Sequence, residues 1–184
     1  MAEIIFGIDH GNGNMKGETS SFPCGIVRYT AQPGRFMNED ILEYEGAYYT
    51  LSETKMPFKA DKTVDDDYFI LTLFTLVQEA RKKNINLTGK DVVLGVGLPP
   101  ADFGQQAVGF KQYFIDHSRH GINFRMNDKP VSFYLKDVFV SPQNFAAVMC
   151  YKASLFKQYR TVNCIDIGDG TCLLYTSPSP RDCS

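Results

Sequence analysis

The sequence contains no apolar run that approaches the roughly 20 residues needed to cross a bilayer. No signal peptide is visible, because Met1-Ala2-Glu3 leads directly into a short apolar segment. Charge of one sign is also missing: 19 Lys and Arg against 21 Asp and Glu leave a net −2. A global basic field that would draw the chain to nucleic acid is thereby excluded. Cysteine supplies no framework either. The five cysteines (Cys24, Cys150, Cys164, Cys172, Cys183) are odd in number and lack CxxC or metal-ligand spacing. Buried free thiols in a reducing cytoplasm are the reading that fits. What is present is 43% hydrophobic and 13% aromatic content over 184 residues. That is enough for a real core and for one domain, or one domain and the start of another.

The stretch that organises the chain is Ile4–Lys16, IIFGIDHGNGNMK. Ile4, Ile5, Phe6 and Ile8 read as a buried strand that ends in Asp9, followed by a Gly/Asn turn. Gly11 and Gly13 are expected to take backbone angles other residues avoid. Such a turn points successive N–H groups into one concavity that suits phosphate oxygens. Taken alone, it is more often a plain hairpin. A near copy changes the balance: Ile-Asp-x-Gly-x-Gly occurs at Ile8–Gly13 and again at Ile165–Gly170, with Asp9 and Asp166 157 residues apart. That spacing is too long for a solenoid repeat and suits two half-molecules that open with the same strand and turn. Two such turns face to face would grip a nucleotide's phosphates and its metal.

Between the two turns the pattern is α/β with a mixed sheet. Residues 17–62 read as a small strand-rich subdomain with no chemistry of its own, including a hairpin turn at Glu45-Gly46 or Gly46-Ala47. Asp65-Asp66-Asp67 precede a helix over Tyr68–Lys83, with Phe69, Leu73, Leu76, Val77 and Ala80 as its apolar face. The acidic run is a helix cap in preference to a metal site. Asp91–Leu98 is a strand apolar enough to be covered on both faces, ended by Pro99-Pro100. A helix is expected over Gln105–His120, its apolar content from Val108, Tyr113, Phe114 and Ile115. His117 and His120 sit one turn apart there, but no third ligand accompanies them. Ile122–Met126, the turn Asn127-Asp128 and Val131–Leu135 form a hairpin leading into Asp137–Val140. Ser141-Pro142 reads as the start of a helix over Gln143–Tyr159, with Phe145, Val148, Met149, Leu155 and Phe156 as its core face. Thr161–Ile167 is a final buried strand that delivers Asp166.

Four stretches in order, IDHGNGNMK (Ile8–Lys16), DVVLGVGLP (Asp91–Pro99), VSFYLKDVFVSPQ (Val131–Gln143) and CIDIGDGT (Cys164–Thr171), resemble the ParM-type bacterial actins. These separate plasmids by forming ATP-dependent filaments. The resemblance covers residues 4–171. It implies an actin-like, ribonuclease-H-like α/β fold with ATP and Mg²⁺ held between two halves: an N-terminal domain over residues 1–160 and the first strand and turn of a second over 161–171. It further implies that Asp9 holds a metal-bound water and that Asp166 acts on the metal from the opposite half. In the first turn the backbone N–H groups of Gly11, Asn12 and Gly13 would contact the β-phosphate side, with Asn14 beside them and Lys16 approaching the phosphates. Gly168, Asp169, Gly170 and Thr171 would cradle the γ-phosphate. At the helix start the plasmid family has Pro-Glu where this chain has Pro142-Gln143. A glutamine there resembles actin itself and can orient an attacking water without being a strong base. The expected partners are further copies of the protein in a filament and a DNA-bound adaptor, with no direct nucleic-acid or membrane contact, in the cytoplasm.

Cys172–Asp182, CLLYTSPSPRD, resembles translated read-through of a transposase-type sequencing adapter; a native Ser/Pro linker is the other reading. On the first reading residues 172–184 are not native and the chain is cut in the second turn. A fragment of that kind is expected to bind ATP weakly, hydrolyse none measurably and expose an apolar face. Two rival functions stay open. The same turns serve sugar or acetate-type kinases and chaperone-like ATPases, which need a substrate acid/base that the sequence does not offer. A non-enzymatic scaffold that keeps the fold is the other.

Overall fold

In the computed structural model, residues 3–34, 39–143, 145–151, 158–159, 161–167 and 172–178 are described. The elements in chain order are β1 (Ile4–His10), β2 (Asn14–Lys16), β3 (Ser21–Pro23), β4 (Ile26–Tyr29), β5 (Ile41–Tyr44) and β6 (Ala47–Leu51). They continue with α1 (Asp67–Lys82), β7 (Lys90–Leu98), α2 (Pro100–Ser118), β8 (Ile122–Met126), β9 (Lys129–Pro142), α3 (Phe145–Cys150), β10 (Thr161–Ile167) and β11 (Cys172–Pro178). Nine strands form one mixed sheet in the order β3-β2-β1-β7-β9-β8-β5-β6-β4. The centre, β1-β7-β9, is parallel; the pairings on either side of it are antiparallel.

The first and last strands in that order, β3 and β4, are joined by Cys24-Gly25 alone. So short a link requires the sheet to curl until its two ends meet. α1 is buried nearly all round because β1 and β2, Tyr44 of β5 and Tyr113 and Phe114 of α2 all pack on it. Beyond the expected stripe of Phe69, Leu73, Leu76, Val77 and Ala80, the residues Tyr68, Ile70, Leu71, Thr72, Phe74 and Thr75 are buried too. The β2–β3 loop reaches α1 through Glu79, whose Oε1 accepts from Thr19 N (2.9 Å), Thr19 Oγ1 (3.1 Å) and Ser20 Oγ (2.6 Å). Residues 17–20 form the loop between β2 and β3.

The turns follow their chemistry. Glu45 and Gly46 both have positive φ (49° and 77°), as do Asn127 and Asp128 (53° and 65°). That is the backbone of a two-residue hairpin matched to strand twist. The acidic run caps less directly than its sequence suggests. Asp66 makes no side-chain cap bond, Asp65 Oδ1 accepts Asp67 N, and Lys59 pairs with Asp65 and Asp67. The Tyr113 hydroxyl, from α2, accepts Phe69 N and donates to Asp65 O, each at 2.9 Å.

Several boundaries differ from the sequence reading. α2 begins at Pro100 with proline in its first turn, so the Pro pair that ends β7 also starts the helix. Its core contacts come from Phe110, Tyr113 and Phe114, whereas Val108 is 84% exposed. Ser141-Pro142 do not start a helix: they remain in β9, opposite Gly97 and Leu98. Because β8 pairs with β9 only as far as Phe133, the missing proline N–H faces an open edge, where it costs nothing. α3 then spans Phe145–Cys150, with Val148 buried and Met149 40% exposed; Leu155 and Phe156 lie outside the described residues.

β10 pairs antiparallel with β11, from Thr161 opposite Pro178 to Ile167 opposite Cys172. β11 falls where the sequence reading placed no element. β10 is not buried, since Ile165 and Ile167 are 64% and 85% exposed. Among the described residues no further strand joins this two-stranded sheet. The thiols also divide: Cys24 is buried, but Cys150 and Cys172 are exposed.

Candidate functional site

The two faces of the central strands are unlike. On β1, Phe6, Ile8 and His10 turn toward the helices, as do Val92, Leu94, Val96 and Leu98 on β7. The opposite face carries Gly7 paired in register with Gly95, and Gly97 paired with Ser141. Among the described residues, the face of β7 that carries Gly95 and Gly97 opens on a cleft, although Val93 earlier on that face is buried. A Cβ built at Gly7 would meet nothing within 4 Å, so the floor is bare where the strands are most central. The cleft has a volume of about 720 Å³ and is walled by Asp9, Lys16, Glu18, Gln143, Cys164 and Ile165 around those glycines.

Three of the expected site residues meet at its rim. Asp9 leaves the end of β1 beside its hairpin partner Lys16, whose Nζ lies 3.5 Å from Asp9 Oδ2. Gln143 arrives from the end of β9, fixed by its own N–H to Leu98 O at 2.7 Å. Its Nε2 donates to Asp9 Oδ1 at 2.7 Å. A Cβ on Gly97 would stand 3.0 Å from Gln143 Cγ, so that glycine makes room for the glutamine stem.

Gly11–Gly13 form the link between β1 and β2. Positive φ at glycine occurs, among the described residues, at Gly46, Gly89 and Gly121, so the expectation of unusual angles at Gly11 and Gly13 is corrected. The reason for glycine at position 11 is a close approach: a Cβ there would lie 2.6 Å from Asn14 O. Asp166 belongs to β10, with its backbone opposite Leu173. Gly168, Asp169, Gly170 and Thr171 lie outside the described residues.

Sequence reasoning missed the polar groups beneath the turn. His10 points away from the cleft into the core, fully buried against Phe110 and Phe114. Its Nε2 lies 2.8 Å from Thr72 Oγ1, whose own proton goes to Tyr68 O; the ring is thereby assigned as the Nε2–H tautomer. Burial, helped by the positive charge of Lys62, drives its pKa down to about 3. Lys62 is itself 5% exposed and donates to His10 O, and burial lowers its pKa. No local pattern around Lys62 marks it; a lysine between Asp61 and Thr63 reads as solvated. His117 is also engaged, at 3.0 Å from Asp66 Oδ1 and stacked on Phe69 at 4.1 Å.

Over residues 7–145 the sequence matches the family described as actin like proteins, N terminal domain. The chain belongs to the actin-like proteins. No curated protein matches this actin-like sequence. Solved structures agree on the fold. The apo psk41 ParM protein superposes with a TM-score of 0.73 at 16% identity, over 97% of this chain and 63% of that one. The archaeal actin homologue Ta0583 gives 0.76 at 16% identity, over 97% and 58%; it has also been solved in complex with ADP. The AlfA filament from B. subtilis plasmid pLS32 gives 0.66 at 15% identity, over 97% and 73%, and an AlfA filament carries AMPPNP. The actin-like chain thus spans 63% and 58% of the first two of these relatives. Among its described residues no helix is long and apolar enough to cross a membrane.

Proposed function

We propose that this chain supplies one wall of the nucleotide cleft of a filament-forming, actin-like ATPase that acts in plasmid or phage DNA segregation. The observation that carries the reading is the Asp9 carboxylate, held between the Gln143 amide and the Lys16 ammonium at the rim of a glycine-floored cleft. A carboxylate at a cleft rim suits a hydrated Mg²⁺, and the bare floor and the close-packed Gly11 turn leave room for phosphates. Mg²⁺ and ATP would meet Asp9, Lys16 and the Gly11, Asn12, Gly13 and Asn14 turn from this side. Asp166, Gly168, Asp169, Gly170 and Thr171 would meet them from the other. When bound, the metal neutralises charge on the phosphates. Gln143 then orients the attacking water, and Lys16 stabilises charge on the transferred group.

Related folds bound to ADP and AMPPNP support nucleotide as the ligand, and the AlfA filament supports self-association. A DNA-bound adaptor would couple the filament to its cargo in the cytoplasm. The chain by itself, spanning less than two thirds of ParM, would bind ATP weakly and show no measurable turnover. Pelleting and light scattering of the full-length protein test the reading. Filaments that form with MgATP and not without it support it; soluble phosphotransfer points to a kinase-like relative, and neither to a scaffold.

A further inference from the structure

The peptides that open the first turn are held from beneath. The His10 carbonyl accepts from the Lys62 ammonium, and the Gly11 carbonyl accepts from the Cys24 thiol at 3.0 Å. The Cys24 N–H also donates to Gly13 O at 2.9 Å. No peptide bond is cis among the described residues, and in a trans peptide the C=O and the following N–H point opposite ways. Drawing the His10 and Gly11 carbonyls inward therefore turns the N–H groups of Gly11 and Asn12 outward.

We propose that Lys62 and Cys24 are positioning residues that set the Gly11 and Asn12 N–H groups toward the anion bound by the first turn. The proposal rests on the nucleotide reading above and adds to it two residues from the stretch expected to carry no chemistry. Both are built in. Lys62 is 5% exposed, Cys24 1%, and the Lys62 ammonium lies 5.2 Å from the centre of the Tyr68 ring. Burial raises the Cys24 pKa to about 11, so near pH 7 it keeps the proton it donates. The ionisable groups acting on Lys62 are Asp9, Cys24 and Asp102, with His10 beside it. A buried cation is unfavourable unless an anion answers it, and a polyphosphate on the outer side of the turn would do so.

The test uses the full-length protein with MgADP as probe and measures affinity together with the amide resonances of Gly11 and Asn12. Lys62→Met should weaken MgADP about tenfold, as loss of a charged hydrogen bond does, and Lys62→Arg should recover part of it. Cys24→Ala should weaken binding roughly threefold, while Cys24→Ser, which keeps a donor, stays within about twofold of the parent. In the nucleotide-free protein both amide resonances should move in Lys62→Met and Cys24→Ala. Folded Lys62→Met and Cys24→Ala variants with unaltered affinity and unmoved resonances would overturn the proposal alone. A parent protein that does not bind MgADP would overturn the nucleotide reading as well. Should Lys62→Met fail to fold, Cys24→Ala against Cys24→Ser decides: equal affinities contradict the assignment.

Discussion

Gln143 Nε2 donates to Asp9 Oδ1 at 2.7 Å, joining two residues 134 positions apart at the ends of β9 and β1. The bond ties the candidate water-orienting group to the candidate metal carboxylate. In the full-length protein, Gln143→Ala is expected to slow ATP hydrolysis on the order of tenfold to a hundredfold, since positioning dominates phosphoryl transfer. MgATP affinity should change by less than about threefold, because Lys16 and the turn amides remain. Steady-state phosphate release and equilibrium binding check this, and unchanged turnover would remove Gln143 from the mechanism.

Gly97 offers a second route to the same effect. A methyl there would stand 3.0 Å from Gln143 Cγ, so Gly97→Ala must push the glutamine stem aside. The expectation is a roughly tenfold loss of turnover with little change in thermal stability, because the movement is at the cleft and not in the core. Adding Gln143→Ala to that variant should produce little further loss.

Glu79 makes a stability prediction. It is 1% exposed. Burial alone would raise its pKa, but hydrogen bonds from Ser20 and Thr19 outweigh that and hold it below the ordinary carboxylate value. Glu79→Ala removes the acceptor of three hydrogen bonds and leaves the buried Ser20 hydroxyl unpaired, and should destabilise the fold by about 1–3 kcal/mol. Gly17→Ala would place a Cβ 2.4 Å from Glu79 Oε1 and should cost about 1–3 kcal/mol through overpacking. Denaturant midpoints measure both, and a neutral Gly17→Ala would show that the loop can move freely.

His10 should give the fold an acid limb. Its pKa falls from an ordinary 6.5 to about 3 because burial excludes the charged ring. The unfolded chain therefore binds the proton first. Stability from this residue is fully present above pH 6.5 and declines as pH falls to about 3. The loss over that window is roughly 5 kcal/mol. His10→Gln should flatten the stability–pH curve between those limits; an unaltered slope would assign the acid limb elsewhere.

The parts of the fold written in local pattern were legible. β1, β7, α1 and the Asn127-Asp128 turn follow from short-range periodicity and turn chemistry, whereas the contact of Lys16 with Asp9 was not foreseen. Proline misled twice for one physical reason. Its missing N–H is tolerated both in a helix's first turn and at a strand's open edge, so Pro100 opens α2 and Pro142 stays in β9. The covering of α1 and the groups under the turn were not legible. They depend on β1, β5 and α2, distant in sequence, packing on one helix, and on Lys62 reaching His10 across 52 positions. β11 was missed because its sequence was set aside, although its backbone pairs along the whole of β10.

The central claim is that two Gly-rich turns, 157 residues apart by their aspartates, close on one nucleotide. Amide hydrogen exchange of the full-length protein, with and without MgADP, tests this most directly. The account predicts that the peptides spanning residues 7–17 and 163–171 slow together and at the same half-saturating nucleotide concentration. Protection of one peptide without the other, or of neither at saturating MgADP, would contradict it.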